Sequence, residues 1–156
     1  MSPYRDILLV EFLKGEARRG FAWGQDDCAL LVADWLWCAA GKKDPAVCWR
    51  GRYRTQEEAD AAMGWGGVQK IVAREARALG LMRTFSPVAG DIGVVAPSAV
   101  VSGIGQCVAG IRAGDGWVMR SMNGLLRMTD LGVRVLAAWA VPVECRDDGM
   151  VGSADG

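Results

Sequence analysis

Histidine is absent from the 156-residue chain. Any mechanism that uses an imidazole as general base, and any metal site that needs a histidine ligand, is therefore excluded unless another chain supplies the residue. The sequence also lacks a Cys-x-x-Cys spacing, although it has five cysteines: Cys28, Cys38, Cys48, Cys107 and Cys145. An odd number of cysteines in this arrangement fits neither a disulfide framework nor a zinc ribbon. We therefore expect reduced thiols, no metal and no cofactor.

Net charge is also lacking, because 18 Lys and Arg residues balance 18 Asp and Glu residues. A neutral chain has no electrostatic footprint for nucleic acid or for an anionic membrane surface. The longest N-terminal apolar run, residues 7–10, is interrupted by Glu11 and is too short for a secretion signal or a membrane span. We expect a protein that folds in a cytoplasm, has no membrane span and binds no nucleic acid.

Hydrophobic residues make up 51% of the chain, which is enough for a core in one domain. We expect this domain over residues 1–143, followed by a flexible tail over 144–156 that is rich in Asp, Gly and Ser.

Helical signals dominate the first half of the chain. Asp26 or Asp27 can cap a helix that begins at Cys28, and Gly41 stands where a left-handed C-terminal cap is needed. A capping box opens another helix at Thr55. The first of four predicted helices covers residues 3–18, and the second runs from residue 28 to its stop at residue 41. The third begins after its cap at residue 55 and ends at about residue 64, and the fourth runs from residue 68 to its stop at residue 80.

Strand signals dominate after Pro87, where Gly and Val become frequent and tight-turn sequences recur. The predicted strands cover residues 91–96, 104–112, 116–121, 125–129 and 133–141. Helices followed by strands predict an α+β fold in which N-terminal helices pack on a small antiparallel sheet.

Cys28 is the residue with the clearest chemical potential. A thiol in the first turn of a helix feels the positive end of the helix dipole, which favours the thiolate. Asp26 and Asp27 oppose this effect, since neighbouring carboxylates raise the pKa of a thiol. The alternative is that Cys28 is a small hydrophobic residue on the inner face of its helix.

Several segments together resemble a family of small phage and prophage tail-tip proteins that are distant relatives of the NlpC/P60 cell-wall peptidases. The resemblance covers about residues 4–141. It rests on Trp23-Gly24-Gln25-Asp26-Asp27-Cys28 at a helix start and Gly90-Asp91 at a strand start, with further matches at residues 51–53, 105–107, 124–125 and 138–141.

This resemblance implies an NlpC/P60-like, papain-like domain in which Cys28, preceded by Asp27, occupies the position of the nucleophile. The histidine base of such peptidases would fall near Gly103, but this chain has none. A strand position next to that point holds Cys107, so we also consider that Cys28 and Cys107 approach each other. A general base is typically worth a hundredfold or more in rate, so peptide hydrolysis should be nearly lost.

Two functions follow from the resemblance. The first is a non-catalytic structural component of a phage tail tip or baseplate, assembled in the bacterial cytoplasm and in contact with hub, distal tail and host-recognition proteins. The second is a cysteine peptidase or amidase that acts on peptidoglycan, with Cys28 as nucleophile, a borrowed base, and the backbone N–H groups of Gly24 and Cys28 as oxyanion donors.

Tryptophans that fall off the helical stripe or in connectors beside glycine, together with nearby arginines, carry a separate signal. Large aromatics beside arginines are typical of protein interfaces. They could instead cap the short helix and the loop before it. The candidate interface residues are Trp37, Trp49, Arg50, Arg52, Arg54 and Trp65. Trp35 and Trp139 fall on apolar faces and are expected in the core.

Overall fold

The computed structural model describes residues 3–41 and 43–143, which form helices packed on a six-stranded antiparallel sheet. The α+β class predicted from the sequence is confirmed. The helices are α1 (Pro3–Glu16), α2 (Cys28–Ala40), α3 (Gln56–Met63) and α4 (Gly67–Ala78). The strands are β1 (Met82–Arg83), β2 (Ile92–Pro97), β3 (Val108–Ala113), β4 (Gly116–Ser121), β5 (Gly124–Thr129) and β6 (Val133–Ala140), with a 3₁₀ turn at Asp130–Gly132. The tail predicted over residues 144–156 lies outside the described residues.

The helix ends follow the capping residues read from the sequence. Asp27 caps α2 by accepting a hydrogen bond from the backbone N–H of Leu30, and Gly41 ends it with φ of 70°. In α3 the Thr55 side chain accepts from the N–H of Glu58, whose carboxylate accepts in turn from the N–H of Arg54. Local side-chain hydrogen bonds therefore determine where both helices begin.

The sheet has the strand order β1-β6-β2-β3-β4-β5. Strands β2 to β5 form a meander of antiparallel neighbours, and β6 returns to lie between β1 and β2. The pairing of β2 with β6 shifts register between Val94 and Val95. Such irregularities increase the local twist and help a sheet to curve.

Two predicted boundaries differ from the structure by two residues or more, and one strand was not predicted. Helix α1 ends at Glu16, two residues earlier than expected. Strand β3 begins at Val108, so residues 104–107 form a loop rather than the first half of a strand. The chain just before this loop is attached to the turn between β4 and β5, because the N–H of Met122 donates to the carbonyl of Gly103. Strand β1 was not predicted, since its two residues depend on pairing with β6 rather than on a local pattern.

The main core lies between the helices and one face of the sheet. Trp35 and Trp139 are both buried there, as expected, and the Nε1–H of Trp35 donates to the carbonyl of Gly90 at 2.7 Å. The opposite face of the sheet carries a second buried cluster around Trp117 and Met119. Alternate residues point to opposite faces of a strand, so β2 and β3 contribute to both clusters.

Asp91 ties three parts of the fold together just before β2. Its carboxylate accepts hydrogen bonds from the N–H groups of Val88 and Val141 and pairs with the Arg5 guanidinium of α1 at 2.7 Å. Arg5 also donates to the carbonyls of Ala89 and Val141. The pair is almost fully enclosed, so each partner satisfies a charge that water does not reach.

Among the described residues no helix has both the length and the apolar character needed to cross a bilayer. The longest helix, α1, has 14 residues, against the roughly 20 that a span requires.

Replacement of Asp91 by alanine should lower the free energy of unfolding by about 3–5 kcal/mol, because it leaves the Arg5 charge buried without its partner. Urea denaturation of the two proteins measures the change. The control is Asp115→Ala, which removes a carboxylate from an exposed pair with Arg127 and should change the free energy of unfolding far less. A similar small loss for both variants would contradict the role assigned to Asp91.

Candidate functional site

The loop before α2 is folded tightly enough to require glycine at one position. Ala22 and Asp26 exchange two backbone hydrogen bonds of 3.0 and 2.7 Å. Between them Gly24 has φ of 77°, and a β-carbon there would lie 2.1 Å from the carbonyl oxygen of Tyr53. Only glycine fits this approach of two backbone segments.

The Asp27 carboxylate is buried at the centre of this corner. One oxygen accepts from the N–H of Leu30, and the other accepts from the N–H of Gly24 and from the hydroxyl of Tyr53 at 2.6 Å. Burial, and then the bond to Asp27, raise the pKa of Tyr53, so the phenol remains a donor. Asp27 therefore fixes the positions of three segments relative to one another: the loop at residues 22–26, the start of α2, and the connector that contains Tyr53.

Cys28 begins α2 beside that carboxylate, with its sulfur against strand β3. Burial of the sulfur, followed by the charge of Asp27, raises the pKa of the Cys28 thiol to about 12. Backbone hydrogen bonds from Ala109 and Ala29 act in the opposite direction. Desolvation is the largest contribution, so the helix terminus does not activate this thiol at neutral pH.

A cleft of about 180 Å³ opens beside Cys28. Phe21 and Trp23, whose rings meet edge to face with centroids 4.8 Å apart, contribute to one wall. Gln56, at the start of α3, and Met122, from the turn between β4 and β5, also line the cleft. The remaining lining residues come from the segment that leads into β3: Gly103, Ile104, Gly105, Cys107 and Val108.

The cleft brings together the positions that the sequence had linked. Cys28, Gly103 and Cys107 all line it. Gly103 has φ of 87°, and a β-carbon there would lie 3.1 Å from the side-chain nitrogen of Asn123, so an imidazole at this position would be strained. Cys28 and Cys107 are both unbridged thiols. Among the described residues that line the cleft, none carries a carboxylate, an imidazole or an amine.

The oxyanion donors expected from the sequence are corrected at one position. The N–H of Gly24 is bound to the Asp27 carboxylate at 3.0 Å. It is therefore not directed at a reacting carbonyl group, and an oxyanion in the cleft would have to be held by other donors.

The candidate interface residues divide into two groups. Trp65 is 90% exposed, Trp37 is 46% exposed, and Arg52 and Arg54 are also exposed. Trp49 and Arg50 are partly buried and make contacts within the chain. Arg74 stacks over the Trp49 ring, while Arg50 pairs with Asp34 and Asp44 at 2.6 Å. These two residues therefore support the connector itself.

A cluster of carboxylates between α1 and α2 was not anticipated from the sequence. One oxygen from each of Glu16, Asp26 and Asp34 lies within 4.8 Å of the others. Burial is the main cause that raises the pKa of Glu16 and of Asp34. The cluster is interleaved with three arginines, Arg19, Arg50 and Arg120, at 2.6–3.5 Å. We interpret it as an ion-pair network that joins the two helices to β4.

Phe21, Gln56 and Met122 were also not singled out as site residues by sequence reasoning. Phe21 lies two residues before Trp23, in the segment that carries the family resemblance, and this position was the one feature of the sequence that could have indicated Phe21 as a site residue. Gln56 and Met122 reach the cleft only through tertiary packing.

Cys28 should react with iodoacetamide at pH 7.5 about 10 to 100 times more slowly than an ordinary thiol. A pKa of about 12 makes the thiolate rare, and the higher nucleophilicity of a more basic thiolate offsets only part of that loss. Mass spectrometry of the alkylated peptides measures the rate, with the exposed Cys48 as internal reference. The rate should rise about tenfold for each pH unit up to pH 10. A plateau near pH 7 would instead reveal an activated thiolate.

The comparisons with known proteins identify a family but assign no activity. No curated protein and no solved structure matches the chain. One family model does match, over residues 4–141, and its description is "Domain of unknown function (DUF6950)". This match covers nearly all of the helices and strands described above, and the chain belongs to the DUF6950 family.

Proposed function

We propose that this protein is a non-catalytic structural component of a phage tail tip or baseplate, built on a degenerate NlpC/P60-like, papain-like domain. The tail-tip assignment and the finer fold assignment rest on the sequence resemblance over residues 4–141. The site supports the non-catalytic part of the proposal. Cys28 stands at a helix N-terminus in a cleft, but none of the described residues that line this cleft carries a group that could act as a base.

The observation that carries the proposal is the lack of a proton acceptor near Cys28. None of the described residues that line the cleft has a basic side chain. The nearest carboxylate in sequence, Asp27, already accepts three hydrogen bonds and is buried. Asp91 is occupied in the same way by Arg5 and two backbone N–H groups. Neither carboxylate is free to take a proton from the thiol.

The magnitude of the resulting loss is large. Desolvation, followed by the charge of Asp27, raises the pKa of the Cys28 thiol, so little thiolate is present at pH 7. None of the described lining residues can act as the general acid that protonates the departing amine, and this contribution is typically a hundredfold or more. Both deficits act on the same reaction, so amide hydrolysis by the isolated chain is not expected.

The alternative function is a cysteine peptidase or amidase that acts on peptidoglycan during cell-wall penetration. The feature in its favour is Cys28 in an open cleft at a helix N-terminus. This function would require a base donated by another subunit and a large fall in the pKa of the thiol.

The exposed residues of the candidate interface form the surface through which the protein would bind its partners. Trp65 and Trp37 present aromatic surface to solvent, and Arg52 and Arg54 lie nearby in sequence. Aromatic and arginine side chains are the types that most often dominate the binding energy of protein interfaces. The proposed partners are the hub, distal tail and host-recognition proteins of the virion, with peptidoglycan as the ligand of the alternative.

The purified chain should release no more soluble amine from isolated peptidoglycan than its Cys28→Ala variant, because the thiol has no base. Phage that carry Cys28→Ala should incorporate the protein at the wild-type level, measured by quantitative mass spectrometry of purified particles. Cys48→Ala, which removes an exposed thiol outside the cleft, is the matched control. Hydrolysis that disappears only in a folded Cys28→Ala protein would establish the peptidase instead, and absence of the wild-type chain from particles would refute the structural function.

Trp65→Ala should leave the free energy of unfolding within about 0.5 kcal/mol of wild type, because the side chain is exposed. Its incorporation into particles should nevertheless fall by about tenfold or more if the ring is an anchor of the interface. Phe85→Ala removes an equally exposed aromatic ring outside the candidate interface and should have no effect on incorporation. Equal incorporation of both variants would exclude Trp65 from the interface.

A further inference from the structure

Strand β5 leaves one edge of the sheet open. It is the last strand in the sheet order and pairs with β4 alone, over six consecutive residues. The strand contains no proline and only one charged side chain, Arg127. At the other end of the sheet, β1 is only two residues long. Native sheets usually protect their edges with short strands, bulges, prolines or charges, so β5 is the edge at which a further strand can add.

The register of the β4–β5 hairpin shows which backbone groups of β5 face outward. Ser121 and Gly124 pair across a two-residue turn, and at the other end the N–H of Asp130 donates to the carbonyl of Asp115 at 3.1 Å. Bonded and non-bonded pairs alternate along antiparallel strands, so every second residue of β5 directs its N–H and C=O away from β4. These residues are Leu125, Arg127 and Thr129. Among the described residues, none forms a hydrogen bond with these outward backbone groups. Free main-chain groups at this spacing match an extended polypeptide.

A shallow groove of about 390 Å³ runs beside this edge, between α1 and the sheet. Its surface is almost wholly apolar. The apolar residues that line it are Val10, Leu13 and Ala17 of α1, Val118 of β4, and Leu125 and Leu126 of β5. Because side chains alternate between the two faces of a strand, a strand added to β5 would direct every second side chain toward α1. Apolar side chains at those positions would enter the groove and leave water, which is favourable.

The charged side chains that line the groove, Lys14 and Arg127, are both cationic. Lys14 lies 3.6 Å from Glu11, and both of these side chains are exposed. Arg127 pairs with Asp115, and this pair is exposed as well. Exposed pairs contribute little, so either cation can turn toward a carboxylate in the groove. The groove therefore favours an acidic occupant over a basic one.

We propose that the open edge of β5 binds an extended segment of another protein by strand addition, with apolar side chains at alternate positions and a carboxylate on the same face. The outward main-chain groups of β5 would supply affinity, and the groove under α1 would supply specificity. This surface goes beyond the proposed function, because none of the residues that line the groove also lines the cleft beside Cys28 or belongs to the candidate interface.

The first test is a titration of the full chain with the capped peptide acetyl-Val-Thr-Val-Thr-Glu-amide, followed by ¹H–¹⁵N NMR. Both valines and the glutamate of this peptide fall on one face of an extended strand. The amide signals of Leu125, Arg127 and Thr129 should shift, and these N–H groups should exchange more slowly with solvent. Replacement of the glutamate by lysine should weaken binding about tenfold.

A peptide that is N-methylated at its third and fourth residues is the matched control for strand addition. One of two consecutive amides must face β5 in either register, so this peptide should not bind. Equal binding of the methylated peptide would show adsorption without strand addition and would overturn the proposal. Failure of every peptide to bind would overturn it as well.

The second test removes one outward donor from the edge. Thr129→Pro should leave β5 in place, because Thr129 has φ of −75°, which proline adopts, and its N–H faces away from β4. This variant should bind the glutamate peptide about tenfold more weakly. Thr129→Val retains the N–H and the shape of the side chain, so it should bind like wild type. Wild-type binding by a folded Thr129→Pro protein would overturn the proposal.

The wall of the groove is tested from the other side, which keeps the proposal testable if Thr129→Pro does not fold. Val10→Gln places a polar group in the groove and should weaken binding about three- to tenfold. Ile7→Gln changes an exposed residue of the same helix that does not line the groove, and it should have no effect. Equal effects of the two substitutions would exclude the groove from the binding site.

Sedimentation of the free chain distinguishes a different protein from a second copy of this one. A monomer that binds the peptide is the expected result. A dimer that persists in Thr129→Val and is lost in Thr129→Pro would show that β5 pairs with β5 of a second copy, and would overturn the assignment to another protein.

Discussion

The Asp27 carboxylate is the group on which the geometry of the candidate site depends. Its three donors come from the loop, the helix and the connector: Gly24, Leu30 and Tyr53. A buried carboxylate is tolerated only when such donors converge on it, so the three segments are constrained to meet. The start of α2, and with it the position of Cys28, follows from this requirement.

The same carboxylate opposes the chemistry that its position suggests. A helix N-terminus stabilises a negative charge by about 0.3–1 kcal/mol, less than a tenfold effect on ionisation. The pKa of Cys28, raised from 9.0 to about 12, corresponds to a roughly thousandfold suppression of the thiolate. Desolvation and the Asp27 charge therefore outweigh the helix terminus. A nearby imidazolium would supply the missing positive charge, and no residue of this chain can form one.

Sequence patterns predicted the elements that depend on local interactions. The caps at Gly41 and Thr55 were identified, and the cap of α2 was narrowed to Asp26 or Asp27, because each acts within three or four residues of itself. Strand β4 was predicted with its observed limits, residues 116–121, because a turn flanks it on each side. The start of β3 was predicted too early, since the apolar residue Ile104 continues the strand pattern although it faces the cleft.

Interactions between distant residues could not be predicted in this way. Arg5 and Asp91 are 86 residues apart, and their pairing depends on how α1 crosses the sheet. The contacts of Arg120 with Glu16 of α1 span 104 residues for the same reason. In the site, Cys28 was predicted from its position at a helix start, whereas Gln56 and Met122 reach the cleft only after the fold has formed. The place of Cys28 at the start of α2 could thus be predicted from the sequence, but the residues that form the cleft around it could not.

The absence of one residue type changes what such a cleft can select. A catalytic base makes a site polar, because it must exchange protons and hold water near the reacting bond. The described residues that line the cleft beside Cys28 carry no charged side chain, so a charged group placed there would lose water without gaining an ionic partner. An uncharged cleft of this kind stabilises a developing negative charge only through backbone N–H groups and neutral side chains. The raised pKa of the Cys28 thiol indicates that these groups do not compensate for desolvation of the sulfur.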